Sequence, residues 1–296
     1  MRREADFTWL YCPEAKTGFN HEDLQEIFRK YCGRKTPINT RAKLVKVMRW
    51  CKQYPTARVS SDIGGGCGRG FGWELTWNQK CIDYLASVVD ELVIPVAQRF
   101  DFSNKIPQLF SRMVTGSIDT FPWRVQRRKG YERQRILYQG KYKGHVVKFQ
   151  GLIDNLGNWI WFSGPHPGSD GDGTLWKRYR PAWALHDERF LADKAYCGHV
   201  FDTLGLIAPY KKPAGGARTK AQTAYNRIHT FYRVRVEHAY GYLKRFEILS
   251  RRYRGRVDAK GVGKMYNIMK VLVHLSQLHR NLRPRGIVAD CLDLDV

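Results

Sequence analysis

The sequence has no long apolar run and no clustered cysteines, and its acidic residues are few beside its basic ones. No stretch of about 18 or more consecutive apolar residues occurs, so the sequence predicts no membrane-spanning helix. The amino terminus, MRREADFTWLY, is charged and lacks the apolar segment of a secretion signal. These absences favour an intracellular, soluble protein.

The seven cysteines are odd in number and never stand in C-x-x-C spacing. Zinc modules and disulfide frameworks need clustered or paired cysteines, so the sequence supports neither. Cys197 lacks the His–Asn partner pattern of a thiol nucleophile, and we predict that it is a core thiol. The seven are Cys12, Cys32, Cys51, Cys67, Cys81, Cys197 and Cys291.

Lysine and arginine number 51 against 27 aspartate and glutamate residues, which gives a formal net charge of +24. A charge of this size repels itself unless a polyanion shares the surface, and nucleic acid is the usual polyanion. An anionic membrane is the competing partner, but neither terminus carries a basic amphipathic helix or a lipidation motif. The 43% of hydrophobic residues are sufficient for a real core.

Residues 1–108 are predicted to form a helical region. Its helices could form a helix-turn-helix unit. Gly64 to Gly72 (GGGCGRGFG) lacks the Gly-Lys-Ser/Thr ending of a phosphate-binding loop, so a flexible loop is favoured. The predicted helices are His21 to Tyr31, Arg41 to Tyr54, and one or two between Leu75 and Phe100 that break at Pro95.

After Pro107 the apolar spacing becomes that of strands, and a domain over residues 109–285 with a tail over 286–296 is predicted. His145 to Ile153 and Trp159 to Phe162 flank a turn and form a hairpin, which gives a three-stranded antiparallel start. Further predictions are an apolar strand Met113 to Ile118 that ends at Asp119, a loop Gly164 to Thr174, strands Phe190 to Ala192 and Gly205 to Tyr210, and a final helix Lys264 to Arg280.

The stretch Tyr225 to Phe246 separates into chemically distinct faces when placed on a helix. One face is an apolar stripe typical of a buried helix: Tyr225, Ile228, Tyr232, Val236, Ala239, Leu243 and Phe246. A second face holds the lone carboxylate Glu237 among Arg233 and Lys244. Taken alone, this face is more typical of a solvated, ion-paired surface than of a site.

Three carboxylates are candidates for one cluster. Asp119 and Asp193 each follow a predicted strand, and Glu237 lies on the helix that must pack against that sheet. Such a cluster repels itself unless divalent cations neutralise it, and oxygen ligands suit Mg²⁺ or Mn²⁺. Two such ions activate a nucleophile and stabilise the leaving oxygen at a phosphodiester.

These residues carry a resemblance to a known family. Tyr225 to His229, Arg233, Glu237 and Tyr240 to Lys244 resemble the glutamate-bearing helix of PIF/Harbinger-like DDE transposases. Ile118-Asp119-Thr120 and Ala192-Asp193-Lys194-Ala195-Tyr196 are similar to that family's two aspartate motifs, and Pro167-Gly168-Ser169 with Asp172 is similar to its P-G-S-x-H-D loop. The resemblance runs from about Ile106 to Leu282.

The resemblance implies an α/β fold with an RNase H-like mixed sheet in the order β-β-β-α-β-α-β-α. It implies that Asp119, Asp193 and Glu237 form a catalytic triad that binds two Mg²⁺ or Mn²⁺ ions, with Asp172 in support. It also implies a DNA strand-cleaving and strand-transferring enzyme in the nucleus, which works with a separate Myb-like DNA-binding protein. Assembly into a homo-oligomer is compatible with the resemblance, and no membrane partner is expected.

Basic residues outside the triad are predicted to contact DNA. The set comprises Arg127, Arg128, Lys129, Arg233, Lys244, Arg251, Arg252 and Arg254, the last three of which also suit a nuclear-import signal. Asp170 and Asp172 lie in a glycine-rich loop, where a turn and a cation site are equally favoured. His186-Asp187-Glu188 precedes a strand, and a solvated loop is favoured there over a metal or acid–base cluster.

Two other functions are left open. Ala192 and Ala195 replace glycines of the family motif and Gly171 replaces a frequent histidine, so an inactive, domesticated descendant that acts as a DNA-binding or scaffold protein is one alternative. The other is an RNase H-type nuclease that cuts RNA or a hybrid, although nothing in the sequence reads a 2′-hydroxyl.

Overall fold

The computed structural model describes residues 13–55, 71–89, 114–184 and 188–282. Its amino-terminal part is helical, as predicted. Asn20 and Asp23 form a capping box that starts the second helix, and the Thr40 side chain caps the third. The helices are α1 (Pro13–Thr17), α2 (His21–Tyr31), α3 (Arg41–Gln53) and α4 (Phe71–Val88).

A mixed sheet of six strands forms the centre of the described chain. The strands are β1 (Val114–Arg124), β2 (Tyr138–Gln139), β3 (Gly144–Asp154), β4 (Trp159–Pro167), β5 (Arg189–Leu191) and β6 (Leu206–Ile207). Strand β3 pairs antiparallel with β1 on one side and with β4 and the short β2 on the other. Strand β5 pairs parallel with β1, and β6 pairs parallel with β5.

Helices connect and cover these strands. They are α5 (Tyr131–Leu137), α6 (Asp172–Tyr179), α7 (His199–Thr203), α8 (Lys220–Leu243), α9 (Glu247–Ser250) and α10 (Ala259–Leu282). Short 3₁₀ turns cover Gly140–Tyr142 and Lys194–Tyr196. No helix in the described ranges combines the length and the apolarity that a membrane span requires.

The sheet is packed on both faces. Because side chains alternate along a strand, Phe121 and Trp123 of β1 enter one cluster and Ile118 enters another. The larger cluster joins one face of the sheet to α8, to α10 and to the amino-terminal helices. The smaller cluster packs Trp176 of α6 against the opposite face. Asp119 has the same strand parity as Phe121, so it belongs to the face that α8 covers.

Several sequence predictions are confirmed by these elements. Helix α2 has the predicted bounds, the β3–β4 hairpin and the antiparallel start are present, and the apolar stripe of α8 is buried from Tyr232 to Leu243. The predicted break at Pro95, residues 64–70 of the glycine-rich loop and both predicted domain boundaries lie outside the described residues, and those predictions stand as they were.

Several predictions of element bounds are wrong. Helix α10 starts at Ala259 and not at Lys264, and α4 includes Phe71 and Gly72, which were predicted to be loop. Strand β1 does not end at Asp119, because Thr120 to Arg124 continue the pairing with β3. The predicted loop from Gly164 begins as strand, since Pro167 still pairs with Val147, and it ends as helix at Asp172. Helix α8 starts five residues before Tyr225, because Thr219 and Gln222 form a capping box there.

Candidate active site

The parallel pairing of β1 with β5 brings Asp119 and Asp193 to neighbouring positions. Ser117 pairs with Leu191, and each aspartate follows its paired residue by two positions. Asp119 is therefore inside β1, while Asp193 stands just beyond the end of β5 and begins the 3₁₀ turn. Two carboxylates far apart in sequence therefore stand on neighbouring parallel strands of the sheet.

The Asp119 carboxylate is half-buried and lies near other negative charges. Its pKa is raised to about 6, chiefly by burial and to a smaller extent by the nearby charges of Asp172 and Asp193. The Thr120 amide, which donates to Oδ1 at 2.8 Å, and the Arg233 guanidinium oppose this increase. The structure thus places Asp119 within electrostatic range of a second and a third carboxylate.

Helix α8 presents a polar face to the same edge. The Tyr240 hydroxyl donates to the Asp119 carbonyl oxygen at 3.2 Å, and its ring stacks on Phe121 with 5.3 Å between centroids. Arg233, Glu237 and Tyr240 follow i, i+4, i+7 spacing, so they share this face. The α8 side of the site is fixed by a buried aromatic contact.

Glu237 is ion-paired in this arrangement. Its carboxylate accepts a hydrogen bond from the Arg233 guanidinium, and its side chain is 48% exposed. Arg233 also lowers the pKa of Asp119, so its charge acts on two carboxylates of the predicted triad. The ion pair that the sequence favoured for this face is present, although the Arg233 side chain is only 14% exposed.

A buried hydrogen-bond network supports the site from the opposite face of the sheet. The Tyr196 hydroxyl lies 3.2 Å from Thr120 Oγ1 and accepts from Gln150 Nε2 at 2.9 Å. Gln150 Nε2 also donates to the Asp172 carbonyl oxygen at 3.1 Å. Burial and the charges of Asp172 and Asp119 raise the pKa of Tyr196, so its hydroxyl keeps its proton. This network links β1, β3 and α6.

Lys148 fixes the loop that was predicted to be either a turn or a cation site. Its ammonium donates to the Asp172 carboxylate at 2.9 Å and to the Asp170 carbonyl oxygen at 2.6 Å, and its side chain is 3% exposed. The sequence analysis missed Lys148 and Gln150. The available signal was the pair of polar residues inside the apolar strand VVKFQGLI, since buried strand positions rarely hold a lysine without a partner.

His229 is a further buried residue that the sequence analysis did not assign to the site. Its Nε2 lies 2.9 Å from the Ile207 carbonyl oxygen. Burial lowers the pKa of His229, as does the nearby Arg233, while the hydrogen bond to Ile207 and the charge of Asp193 raise it. A neutral imidazole therefore ties α8 to β6 beside Asp193.

The donor chemistry at this edge fits a hard divalent cation in part. Asp119, Asp193 and Asp172 offer carboxylate oxygens, which Mg²⁺ and Mn²⁺ prefer, and their mutual repulsion is what a cation would relieve. Across the described residues, no group of three or more His, Cys, Asp or Glu side chains is arranged to hold an ion. In this arrangement Glu237 is bound to Arg233 instead.

The residues predicted to contact DNA lie in different surroundings. Lys129 is exposed, Arg127 Nε donates to Gln134 at 2.8 Å, and Arg128 donates to the Val257 carbonyl oxygen. Lys244 is exposed, with its ammonium 5.9 Å from the centroid of the Phe121 ring. DNA contact by these four residues stays a prediction.

The carboxy-terminal arginines do not form one uniform strip. Arg251 pairs with Glu247 at 2.8 Å, and Arg252 lines a cleft with Arg127. Arg254 lies 3.9 Å above the Tyr54 ring and donates to the Pro55 carbonyl oxygen at 2.7 Å. The Arg254 guanidinium thus holds the segment after α9 against the end of α3.

Two smaller predictions have different outcomes. Glu188 is not solvated, because it is 1% exposed and accepts a hydrogen bond from Thr115 at 2.7 Å. The sequence could not show this contact, since the two residues are 73 positions apart.

Cys197 is half-buried, and its thiol donates to the Pro209 carbonyl oxygen at 3.3 Å. Burial raises the pKa of this thiol, which opposes a nucleophilic thiolate.

Comparisons with known proteins agree with this part of the chain. The family described as DDE superfamily endonuclease matches residues 118–278, which include Asp119, Asp193 and Glu237. A probable transposase for insertion sequence element IS702 from Microchaete diplosiphon is 33% identical over 123 residues, covering 42% of this chain and 44% of that protein. The chain thus aligns with less than half the length of that relative, and no solved structure matches it. With more than half of its length matched, the chain belongs to the DDE superfamily endonuclease family.

Proposed function

We propose that this protein is a divalent-metal-dependent DNA endonuclease of transposase type, which cleaves phosphodiester bonds and transfers strands. The parallel pairing of β1 and β5 carries the proposal, because it brings Asp119 and Asp193 to one edge of the sheet beside the polar face of α8. Family membership and the similarity to a probable transposase support it. The net charge of +24 fits a polyanionic substrate.

Asp119 and Asp193 would hold the cations, with Glu237 completing the site and Asp172 in support. Bound cations of this kind supply the charge that activates an attacking oxygen and stabilises a leaving one at a phosphodiester. The protein's own residues position these ligands. Thr120 and Tyr240 fix Asp119 through its carboxylate and its carbonyl, and Lys148 fixes Asp172.

Arg233 has a second role in this proposal. A guanidinium binds phosphate through parallel hydrogen bonds at least as well as it binds a carboxylate. An incoming DNA phosphate would therefore compete with Glu237 for Arg233 and release the Glu237 carboxylate towards Asp119 and Asp193. The Glu237 side chain is 48% exposed, so water can solvate its carboxylate when the pair with Arg233 separates.

We further propose that the sheet is of RNase H type. The three long strands β1, β3 and β4 are antiparallel and are followed by α6, β5, α7, β6 and α8, which supports the order implied by the resemblance. The PIF/Harbinger subtype rests on the Tyr225 to Phe246 motif. The Myb-like partner, the homo-oligomer and the nuclear location rest on that resemblance and on the basic segment at Arg251 to Arg254.

Isosteric variants test the triad. Asp119→Asn, Asp193→Asn and Glu237→Gln should each reduce Mg²⁺- or Mn²⁺-dependent cleavage of duplex DNA at least about a hundredfold, the scale expected when one preorganised charge is lost at a transition state. DNA binding in EDTA should be unchanged or tighter, because each variant removes one negative charge. Gel-based cleavage and fluorescence anisotropy measure the two quantities.

The matched control is Glu132→Gln, which removes an exposed carboxylate on α5. It should leave cleavage unchanged. Full cleavage by the Glu237→Gln protein, or an equal loss in the Glu132→Gln control, would show that the triad is not the catalytic set.

A further inference from the structure

A basic cleft opens at the far end of β1, away from Asp119. It has a volume of about 270 Å³ and lies where the end of β1, the start of β3 and the segment after α9 meet. We call it the β1-end cleft, and its lining includes Arg124, Arg127, Tyr142, Lys143, His145 and Arg252. None of the triad residues lines it.

The charge of the β1-end cleft is uncompensated. Arg124, Arg127, Lys143 and Arg252 contribute four permanent positive charges, and no carboxylate lines the cleft. Within the described ranges, none of these four side chains forms an ion pair with an aspartate or a glutamate. Burial lowers the pKa of His145, and the nearby charges of Arg127 and Arg252 lower it as well. Several cations held together without an anion leave a strong positive potential there.

The backbone around the β1-end cleft is fixed. The Val125 amide donates to the His145 carbonyl oxygen at 3.0 Å, and the Tyr253 amide donates to the Arg124 carbonyl oxygen at 2.8 Å. Lys143 has a positive φ of 44° where the 3₁₀ turn meets β3, which sets the direction of its side chain. These contacts hold three segments of the backbone around one space, from which the four exposed cationic side chains can reach an anion.

We propose that the β1-end cleft binds a backbone phosphate of DNA outside the cleavage site. Arginines bind phosphate through forked hydrogen bonds, and a lysine adds a point charge. Five residues separate Asp119 from Arg124 along β1, so the cleft lies roughly 17 Å from the triad edge at about 3.4 Å per strand residue. This inference rests on the proposed function, because that function makes DNA the polyanion. The cleft would then act as an anchor that fixes the direction of the DNA across the sheet.

Salt dependence of DNA binding tests the anchor without cleavage. Binding of a 30-base-pair duplex is measured in EDTA between about 50 and 200 mM salt, the range in which phosphate contacts dominate the affinity. The variant is R127Q/R252Q, and the matched control R34Q/K35Q removes two exposed charges near α2. The slope of log K against log salt should become shallower by about 0.9 in the cleft variant, which corresponds to one lost phosphate contact, and should not change in the control.

An unchanged slope in R127Q/R252Q, or an equal change in R34Q/K35Q, overturns the anchor. Neither result bears on catalysis, because no divalent cation is present, whereas failure of the proposed function appears in the cleavage assay of the triad variants. The His145 ring signal in NMR identifies the source of the phosphate. DNA should shift this signal in the wild-type protein and not in R127Q/R252Q. If inorganic phosphate at the same phosphate concentration shifts it equally, the cleft is a free-phosphate site and the DNA assignment is wrong.

Discussion

Single residues in the site show how charge is balanced at the edge of the sheet. Asp119 is half-buried near Asp172 and Asp193, and this environment raises its pKa to about 6. Arg233 and the amide of Thr120 lower it, and Lys148 balances Asp172 from within the strand next to β1. Arg233 is also paired with Glu237, so these carboxylates outnumber the two cations that act on them in the described chain. That deficit is the physical reason to expect a divalent cation here.

His229 should make folding stability sensitive to acid. Its folded pKa lies below the usual value near 6.5, so the unfolded chain binds the proton more readily. The stability that neutral His229 contributes is complete above about pH 6.5 and is lost as the pH falls through its lowered folded pKa. Urea unfolding at pH 7.5 and pH 5.5 should therefore show a smaller acid-induced loss for His229→Gln than for the wild-type protein.

The control for this prediction is His199→Gln, which replaces an exposed histidine at the start of α7. It should retain the acid-induced loss of the wild-type protein. If His229→Gln loses as much stability on acidification as the wild-type protein does, His229 is not a buried neutral residue.

At the scale of elements, sequence periodicity predicts what local spacing encodes. The stripe from Tyr232 to Leu243 repeats at helical spacing, and α8 buries it. Alternating apolar residues on both sides of Asp154 to Asn158 predict the β3–β4 hairpin, because the two strands are joined by a short turn. The proximity of Asp119 and Asp193 was predicted on the assumption that both stand at strand ends. The parallel register of β1 with β5 instead places Asp119 inside its strand, two positions beyond a residue paired with Leu191, and the triad stays a prediction.

Contacts between distant elements cannot be predicted in this way. Nothing near Glu188 indicates that Thr115 will cover it, and nothing near Arg254 indicates that Tyr54 lies beneath it. Lys148 looks like a surface residue until α6 places Asp172 next to it. These outcomes depend on which elements pack together, and a single sequence carries that information only weakly.

The approach of α8 to β3 leaves no room at Gly151, which pairs with Asp119. A Cβ at this position would lie 2.6 Å from the Trp159 ring and 2.7 Å from the Tyr240 hydroxyl. Gly151→Ala should therefore cost about 1–3 kcal/mol of unfolding free energy, the range for an overpacked core, and should reduce cleavage by displacing Tyr240 from Asp119. Urea unfolding and the cleavage assay measure both effects.

Gly140→Ala provides the matched comparison, because a Cβ at Gly140 would meet nothing within 4 Å. Its stability and cleavage should stay close to those of the wild-type protein. A Gly151→Ala protein as stable as Gly140→Ala would show that α8 and β3 are not in close contact at the site.

The molecule as a whole carries its positive charge on exposed residues along most of the described chain, and the core is apolar. The 51 basic residues exceed the 27 acidic ones by 24, so a large part of that charge cannot be neutralised within the chain. A long polyanion neutralises such a surface and releases its own counterions when it binds. Electrostatics of this kind favours binding to any duplex sequence.

Duplex DNA binding should accordingly be steeply salt-dependent and have little sequence preference. The slope of log K against log salt should be about −0.9 for each phosphate contacted. Fluorescence anisotropy with two unrelated duplexes measures both properties. An affinity that stays flat between low and physiological salt would contradict DNA as the polyanionic partner.

The central claim is that Asp119, Asp193 and Glu237 share divalent cations. Crystals soaked in Mn²⁺ with a short duplex, examined by anomalous scattering, test it directly. We predict Mn²⁺ bound to carboxylate oxygens of Asp119 and Asp193, with Glu237 separated from Arg233 and turned towards the ions, and no such peak in Asp119→Asn crystals. Mn²⁺ bound elsewhere while Glu237 stays paired with Arg233, or no Mn²⁺ at Asp119 and Asp193, would contradict the claim.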